Sequence, residues 1–362
     1  MIHVFIGTKA QYVKTAPLLR SLDASAIPYN LIDSGQHAQI AQEMREELQV
    51  RAPDVFLRAG DDITGATQAL WWALKNLLPG LVCAKRMSAR IFRNEGGVCV
   101  VHGDTLTTLL SVALAKRAGL KIAHIEAGLR SYNYFNPFPE EAIRVITMRL
   151  ADLLFTPSDW AYSNLEKMNV KGRVINLGVN TAMEAVAFSL SRKSSLTLSV
   201  DHYCLVTIHR VETIYNVRRM RYIVDLLSRI SQSKPVVFVL HGPTERSLKR
   251  FHLFEALEKN ENVTLLSLLA HTDFIHVAKN ADFIITDGGS IQEESFYLNV
   301  PCLIMRKKTE RQEGMNHNAY LSEFDESRVD HFLAACTTYR HEGMSLDVHP
   351  TQTIIEYLRE YV

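Results

Sequence analysis

The sequence predicts an α/β protein of two doubly wound domains. Three observations lead there. Short apolar runs alternate with longer helix-compatible stretches through the first half, and the second half repeats the scheme. The strand-like runs are apolar along their whole length, not at every second residue, which indicates parallel sheets covered on both faces. A chain of 362 residues, 47% of them apolar, is also longer than one core requires.

In the first half the strand candidates are 2–6, 29–33, 98–101, 122–125 and 153–155. Helix candidates lie at 13–22, 38–48, 64–77, 107–118, 140–150 and 160–168. In the second half, strands at 203–208, 236–240, 263–266, 283–285 and 302–304 alternate with helices at 217–231, 246–257, 274–279 and 291–298. A last helix is expected at 351–361. The domain boundary is expected between 181 and 198, which divides the chain into 1–182 and 183–350. The polar stretch 189–199 reads as a surface linker or helix end. The basic, poorly patterned stretch 85–95 reads as a solvated helix face. The dinucleotide fingerprint GxGxxG is absent, so a tightly bound dinucleotide of the usual kind is not expected.

The net charge is +1, from 40 basic and 39 acidic residues. That balance implies no polyanion-binding surface, so any phosphate must be held locally. The five cysteines (Cys83, Cys99, Cys204, Cys302, Cys336) are scattered without a CxxC pair and read as free thiols of a reducing compartment. No signal-peptide pattern opens the chain and no uninterrupted apolar stretch is long enough for a bilayer, so a cytoplasmic protein is expected.

The polar motifs each follow a strand candidate, which is where open α/β sheets bind ligands. After 283–285 comes Asp287-Gly288-Gly289-Ser290-Ile291-Gln292-Glu293-Glu294. Strand, glycine pair and helix start make a phosphate-binding arrangement, with free N–H groups at the helix N-terminus and a carboxylate one turn on that can take two ribose hydroxyls. A solvated loop before a surface helix would look similar. After the first strand, Lys9 and Lys14 bracket a helix start, which suits phosphate neutralisation or a pair of solvated lysines. His102-Gly103-Asp104-Thr105, His124-Ile125-Glu126-Ala127-Gly128-Leu129-Arg130 and Asn136-Pro137-Phe138-Pro139-Glu140-Glu141 follow in order. Singly, Asp104, Glu126 and Glu140 could be caps or salt-bridge partners. Together they suit acid and base roles, because clustered carboxylates separate one another's pKa values. In the second half, His209-Arg210 and His241 end successive strands. The run Arg306-Lys307-Lys308-Thr309-Glu310-Arg311 adds positive charge.

The series GTKxxxxK, HGDT, HIEAGLRS, PFPEEAxR, TIHR, TDGGSIQEE and RxxTER resembles the non-hydrolysing UDP-N-acetylglucosamine 2-epimerases from residue 2 to about 350. The resemblance implies a GT-B-like fold of two Rossmann-like domains with an interdomain cleft. It implies that the helix 351–362 returns to the first domain, and that a UDP-sugar is bound without any cofactor or metal, usually by a homodimer. No nucleic acid and no membrane insertion are implied. The reaction it implies is inversion at C2 of a UDP-2-acetamido sugar for surface polysaccharide synthesis, by anti elimination of UDP and re-addition. Carried over, the first domain would hold the catalytic carboxylates Asp104, Glu126 and Glu140, and the second would bind the nucleotide. Lys9, Lys14 and His209 would serve the diphosphate, with His209 counted among the catalytic residues. Gly288, Gly289 and Ser290 would cradle it, Glu294 would hold ribose, and Arg130, Arg210, His241 and Arg311 would complete the substrate site. Gln36, His37 and Gln39 match the region where bacterial members bind a second, activating UDP-sugar.

The chain departs from that pattern in four places. Lys9-Ala10-Gln11 replaces Arg-Pro-Glu, which keeps the charge but loses a bidentate fork. Gly288-Gly289-Ser290 replaces Ser-Gly-Gly, Ile143 replaces an Asn, and His209-Arg210-Val211-Glu212 replaces an Arg-rich segment. Two other readings share this architecture: a glycosyltransferase using a nucleotide sugar, and a non-catalytic UDP-sugar sensor.

Overall fold

The structure, a computed structural model, describes residues 1–58, 68, 71–72, 74–77, 83–134, 139–341 and 345–362. It divides into two compact units, Met1–Ala185 with Asp347–Val362, and Val186–Leu346. The division falls at 185/186, where the sequence placed it at 182/183.

In the first unit seven parallel strands lie in the order β3-β2-β1-β4-β5-β6-β7. They are β1 (Ile2–Ile6), β2 (Tyr29–Asp33), β3 (Val55–Phe56), β4 (Val98–His102), β5 (Lys121–Ile125), β6 (Leu153–Thr156) and β7 (Arg173–Asn176). The helices, in chain order, are α1 (Lys9–Ala24), α2 (Ala38–Leu48), α3 (Ala84–Phe92), α4 (Leu106–Arg117), α5 (Glu140–Leu150), α6 (Asp159–Met168) and α7 (Ala182–Ser191), whose residues from Val186 onward belong to the second unit. The helix expected at 64–77 is seen at residues 68, 71–72 and 74–77; its remaining positions lie outside the described residues. Successive strand residues point to opposite faces, so one sheet sorts its side chains into two cores. Ile2, Val4, Ile6, Leu31 and Val98 pack under α1, with Ile354, Ile355 and Leu358 of the terminal helix beside them. Phe5, Ile32, Cys99, Val101 and Ile122 pack on the other side.

The second unit has six parallel strands in the order β10-β9-β8-β11-β12-β13. They are β8 (Cys204–Thr207), β9 (Val236–Leu240), β10 (Val263–Ser267), β11 (Phe283–Thr286), β12 (Cys302–Ile304) and β13 (Ala319–Leu321). Around them lie α8 (Val211–Ile214), α9 (Val217–Ile230), α10 (Gly242–Arg250), α11 (Phe254–Glu258), α12 (His271–Asn280), α13 (Gly289–Leu298) and α14 (Glu326–Ala335). The terminal helix α15 (Pro350–Leu358) belongs to the first unit. Among the described residues no helix is long and apolar enough to cross a membrane.

Several expectations are corrected. The stretch 85–95 is not only a solvated face: α3 buries Met87, Ile91 and Phe92, and each such side chain contributes about 1.5–3 kcal/mol. The stretch 189–199, expected as a surface linker or helix end, does contain a helix end, since α7 closes at Ser191, but it is not wholly exposed. Ser189 is buried on α7, and Ser194 and Ser195 hold Asp273 through hydroxyl bonds of 2.7 Å each. The single helix expected at 246–257 is two, because the chain turns at Phe251–Leu253, where His252 has a φ of 57°. Strands β3, β7 and β13 and helices α7, α8 and α14 were not expected.

Candidate active site

Each sheet has one place where the strand order reverses: between β1 and β4 in the first unit, and between β8 and β11 in the second. Loops leaving the carboxyl ends of such neighbours diverge to opposite faces and leave a crevice. The Lys9 and Asp104 motifs sit at the first of these places and the His209 and Gly288 motifs at the second; Glu126 follows the neighbouring strand β5, His241 follows β9 and Arg306–Arg311 follows β12.

In the first unit, Thr8 caps α1 and Gln11 returns the bond to complete a capping box. The Gln11 amide then donates to the His102 carbonyl (2.9 Å) and the Thr105 hydroxyl (3.0 Å), lacing the loop after β1 to the loop after β4. His124, buried on β5, places Nε2 2.8 Å from the Gly103 carbonyl oxygen, so this nitrogen carries the proton. Burial pushes the ring's pKa down to about 4, which keeps it neutral near pH 7. The turn it supports has Gly103 at φ +66° and carries Asp104.

Glu126 leaves β5 with a φ of 65°, a left-handed conformation that costs a side-chain-bearing residue about 1–3 kcal/mol. Its Oε1 accepts from the Lys14 ammonium and from Asn180 (2.7 Å), and its Oε2 lies 3.9 Å from His102 Nδ1. Asp104 pairs with Arg144 at 2.5 Å. Arg144 also stands 3.5 Å from Glu141, which is fully buried and accepts from Arg130 Nε (2.6 Å) and the Ser131 amide (2.9 Å). Burial alone would raise Glu141, but the Ser131 amide and the Arg130 guanidinium outweigh it and hold the carboxyl below its usual range. Glu140 opens α5 and is half-buried. One cationic side chain, Arg144, therefore ties the Asp104 turn to the start of the helix that carries Glu140.

In the second unit, Asp287 ends β11 fully buried and accepts from the backbone N–H groups of His209 (2.9 Å) and Arg210 (3.0 Å), which follow β8. It spans that sheet's reversal as Gln11 spans the other. His209 Nδ1 is 3.7 Å from Asp287, and its ring stacks on His241 with centroids 4.7 Å apart. Burial lowers the pKa of His209, although the Asp287 carboxylate works to raise it. Gly288 caps α13, and a Cβ there would lie 2.5 Å from His209 Cε1. A Cβ at Gly289 would lie 3.1 Å from Arg311 Nε. The glycine pair thus makes room for His209 and Arg311, a role that the simple picture of a bare phosphate loop did not include. Arg311 pairs with Glu293 at 2.8 Å. Arg306 binds Glu310 at 2.8 Å, and Arg210 binds Glu212 at 2.7 Å and stands 3.7 Å from Glu310. Glu294, 7% exposed, accepts from or faces His271 Nε2 at 3.2 Å.

The family model for UDP-N-acetylglucosamine 2-epimerase matches residues 20–350. The chain belongs to the UDP-N-acetylglucosamine 2-epimerase family. It is 30% identical to the UDP-N-acetylglucosamine 2-epimerase of Methanocaldococcus jannaschii over 88% of this chain and 87% of that protein. It is 29% identical to the UDP-2,3-diacetamido-2,3-dideoxy-D-glucuronate 2-epimerase of Pseudomonas aeruginosa, over 85% and 84% respectively. The crystal structure of the Methanocaldococcus jannaschii enzyme in complex with UDP-GlcNAc and UDP superposes with a TM-score of 0.83 at 27% identity, covering 99% of both chains. The epimerase family is a family of isomerases with the GT-B-like architecture of two Rossmann-like domains, and this chain is one of them.

Set on the epimerase fold, the expected site residues divide into groups. Asp104 follows β4 at the reversal of the first sheet and Glu126 follows the next strand, β5; a Cβ on Gly103 would lie 3.3 Å from Glu126 Oε2, and His124 of β5 holds the Gly103 carbonyl. Lys14, expected at the diphosphate, pairs with Glu126, and Arg130, expected at the substrate, is held by Glu141. Lys9 is half-buried, and its backbone N–H donates to His37 Nδ1 (3.3 Å). Gln36 accepts from Thr107 (2.7 Å), and the side chain of Gln39 lies outside the described residues. His209, Arg210, His241, Gly288, Gly289, Ser290, Glu294 and Arg311 belong to the second unit. Asn136 and the first two residues of the PFPEE motif, 137 and 138, lie outside the described residues. Sequence reading did not single out Asp287, Glu141, Asn180 or His271 for the site. Asp287 left a signal, as a lone acid at the end of an apolar strand. Asn180 left none, since its partner is 54 residues away.

Proposed function

We propose that the chain inverts C2 of a UDP-2-acetamido sugar, UDP-N-acetylglucosamine or a close relative, as a step toward surface polysaccharide precursors. One observation carries this reading. Glu126 is held on a strained backbone by Lys14 and Asn180, with Asp104 on the adjacent turn. Two acid groups at the ends of neighbouring strands, each braced by a fixed cation, supply what proton transfer at a poorly acidic carbon needs.

In the proposed reaction one carboxylate removes the C2 proton. The C2–H electrons form the C1=C2 double bond as the C1–O bond breaks, with its electron pair leaving on UDP. UDP then re-adds at C1 while a protonated carboxyl returns a proton to the opposite face of C2. Asp104, Glu126 and Glu140 form the acid–base group. Lys9 and His209 bear on the diphosphate, α13 presents its N-terminus through Gly288, Gly289 and Ser290, and Glu294 holds ribose. Lys14 is reassigned from the diphosphate to Glu126, and Arg130 to Glu141. The enzyme acts as a cytoplasmic homodimer.

The test is incubation with UDP-N-acetylglucosamine in D₂O. Deuterium appearing at C2 without any acceptor supports the epimerase. No exchange, but sugar transfer once an acceptor is supplied, replaces it with a transferase. Binding of UDP with neither reaction leaves a sensor.

A further inference from the structure

Glu294, on α13 of the second unit, is a buried carboxylate that keeps one oxygen open. Its Oε1 faces His271 Nε2 at 3.2 Å, while its Oε2 is buried with no hydrogen-bond partner among the described residues. A buried carboxylate oxygen left unpaired costs free energy unless a ligand donor supplies the missing bond. His271 is itself buried, and its Nδ1 lies 3.0 Å from the hydroxyl of Ser189 on α7. The three side chains form one line: Ser189, His271, Glu294. Ser189 is fully buried, so the line orients a carboxylate and does not expose a nucleophile. With the Ser189 hydroxyl donating to Nδ1, the imidazole presents Nε2–H to Oε1 and fixes the carboxylate's rotation. Glu294 also lies close enough to His209 to act on it electrostatically, which places this line beside the strand-end histidine.

We propose that His271, braced by Ser189, is a positioning residue that aims the free oxygen of Glu294 at the ribose hydroxyls and so makes the second unit select ribonucleotides over 2′-deoxyribonucleotides. This rests on the ribose assignment of Glu294. A carboxylate free to rotate would satisfy itself with water and lose its grip on a vicinal diol. One held at Oε1 can offer only Oε2, in one direction. The selectivity then depends on a side chain that touches no substrate.

Calorimetric titration with UDP and with 2′-deoxy-UDP decides the matter. The wild type is expected to favour UDP by roughly tenfold to a hundredfold, the range for a hydrogen bond to a charged group. Glu294→Gln should remove most of that preference. His271→Phe should reduce the ratio to within about threefold, and His271→Gln, which retains a donor toward Oε1, should restore it. Ser189→Ala should lie between, and it serves as the second variant where His271→Phe fails to fold. If the wild type discriminates and both His271→Phe and Ser189→Ala keep the full ratio while losing affinity for both nucleotides alike, the residues are merely structural and the inference is overturned. If the wild type binds the two nucleotides equally, the ribose role of Glu294 fails first and takes the inference with it.

Discussion

The two units share a plan and differ in chemistry. In each, a parallel sheet reverses its strand order beside its first strand, and one side chain laces the loops across the reversal: Gln11 in the first unit and Asp287 in the second. Gln11 leaves the first site neutral at its base, and what gathers above it is acidic, Asp104 and Glu126, each paired with a cation. Asp287 makes the base of the second site anionic, and what gathers there is a stacked histidine pair and the arginines 210, 306 and 311. Topology decides where a site lies, and the residues on its loops decide its chemistry.

If that contrast is real, substitutions in the first unit should fall on turnover and those in the second on affinity. Asp104→Asn and Glu126→Gln should each lower kcat by roughly a hundredfold or more, the usual loss for a missing acid or base, as measured by C2 epimerisation. Near-normal turnover in both would break the comparison at its first limb. Gly288→Ala should act on the other limb. Its Cβ would lie 2.5 Å from His209 Cε1 and 3.3 Å from the Ile291 side chain, so the ring must leave its stack on His241. UDP affinity is expected to fall about tenfold, the equivalent of about 1.4 kcal/mol, with kcat changed far less. Unchanged affinity in a calorimetric titration would show that the histidine pair does not serve the nucleotide.

A third test concerns stability and leaves substrate out altogether. The His124 pKa is about 4 in the native unit and near 6.5 when unfolded. Between those values the unfolded chain takes up a proton that the native chain does not, so stability falls as pH drops from 6.5 toward 4. For this one group the loss approaches roughly 3 kcal/mol. Burial raises the carboxyls of Asp33 and Glu184, which pull the other way, so the informative quantity is the difference between wild type and His124→Gln in urea unfolding. A parallel pH dependence in the two would mean that the imidazole protonates in the native unit.

The strands that sequence reading found are central ones, apart from β10, which it found at the edge of the second sheet. β1, β2, β4, β9 and β11 are buried along their whole length, and uninterrupted burial is what an apolar run records. The ones it missed are short and lie toward sheet edges: β3 has two residues, and β7 and β13 are only partly buried. β7 mixes polar and apolar residues, and β3 and β13 are too short for two or three apolar residues to stand out as a run. The merging of α10 and α11 has a similar cause, since the break at His252 depends on a backbone conformation that no proline or glycine announces. Among the site residues, motifs placed Asp104, Glu126 and His209 at strand ends. They did not reveal that Lys14 turns to Glu126, because a lysine's charge says nothing of which anion it will meet.

By itself the sequence determined two layered α/β units, the strand ends that carry polar motifs, and membership of the epimerase family. Each of these is written in local patterning, where burial repeats with the period of the element. Only the tertiary structure decided the pairings: Lys14 with Glu126, Arg144 with Asp104, Asp287 with the amides of 209 and 210, Ser189 through His271 to Glu294. Those partners are separated by tens of residues along the chain. Which of several chemically equivalent groups meet is set by sheet order and helix placement, which no short window of sequence contains.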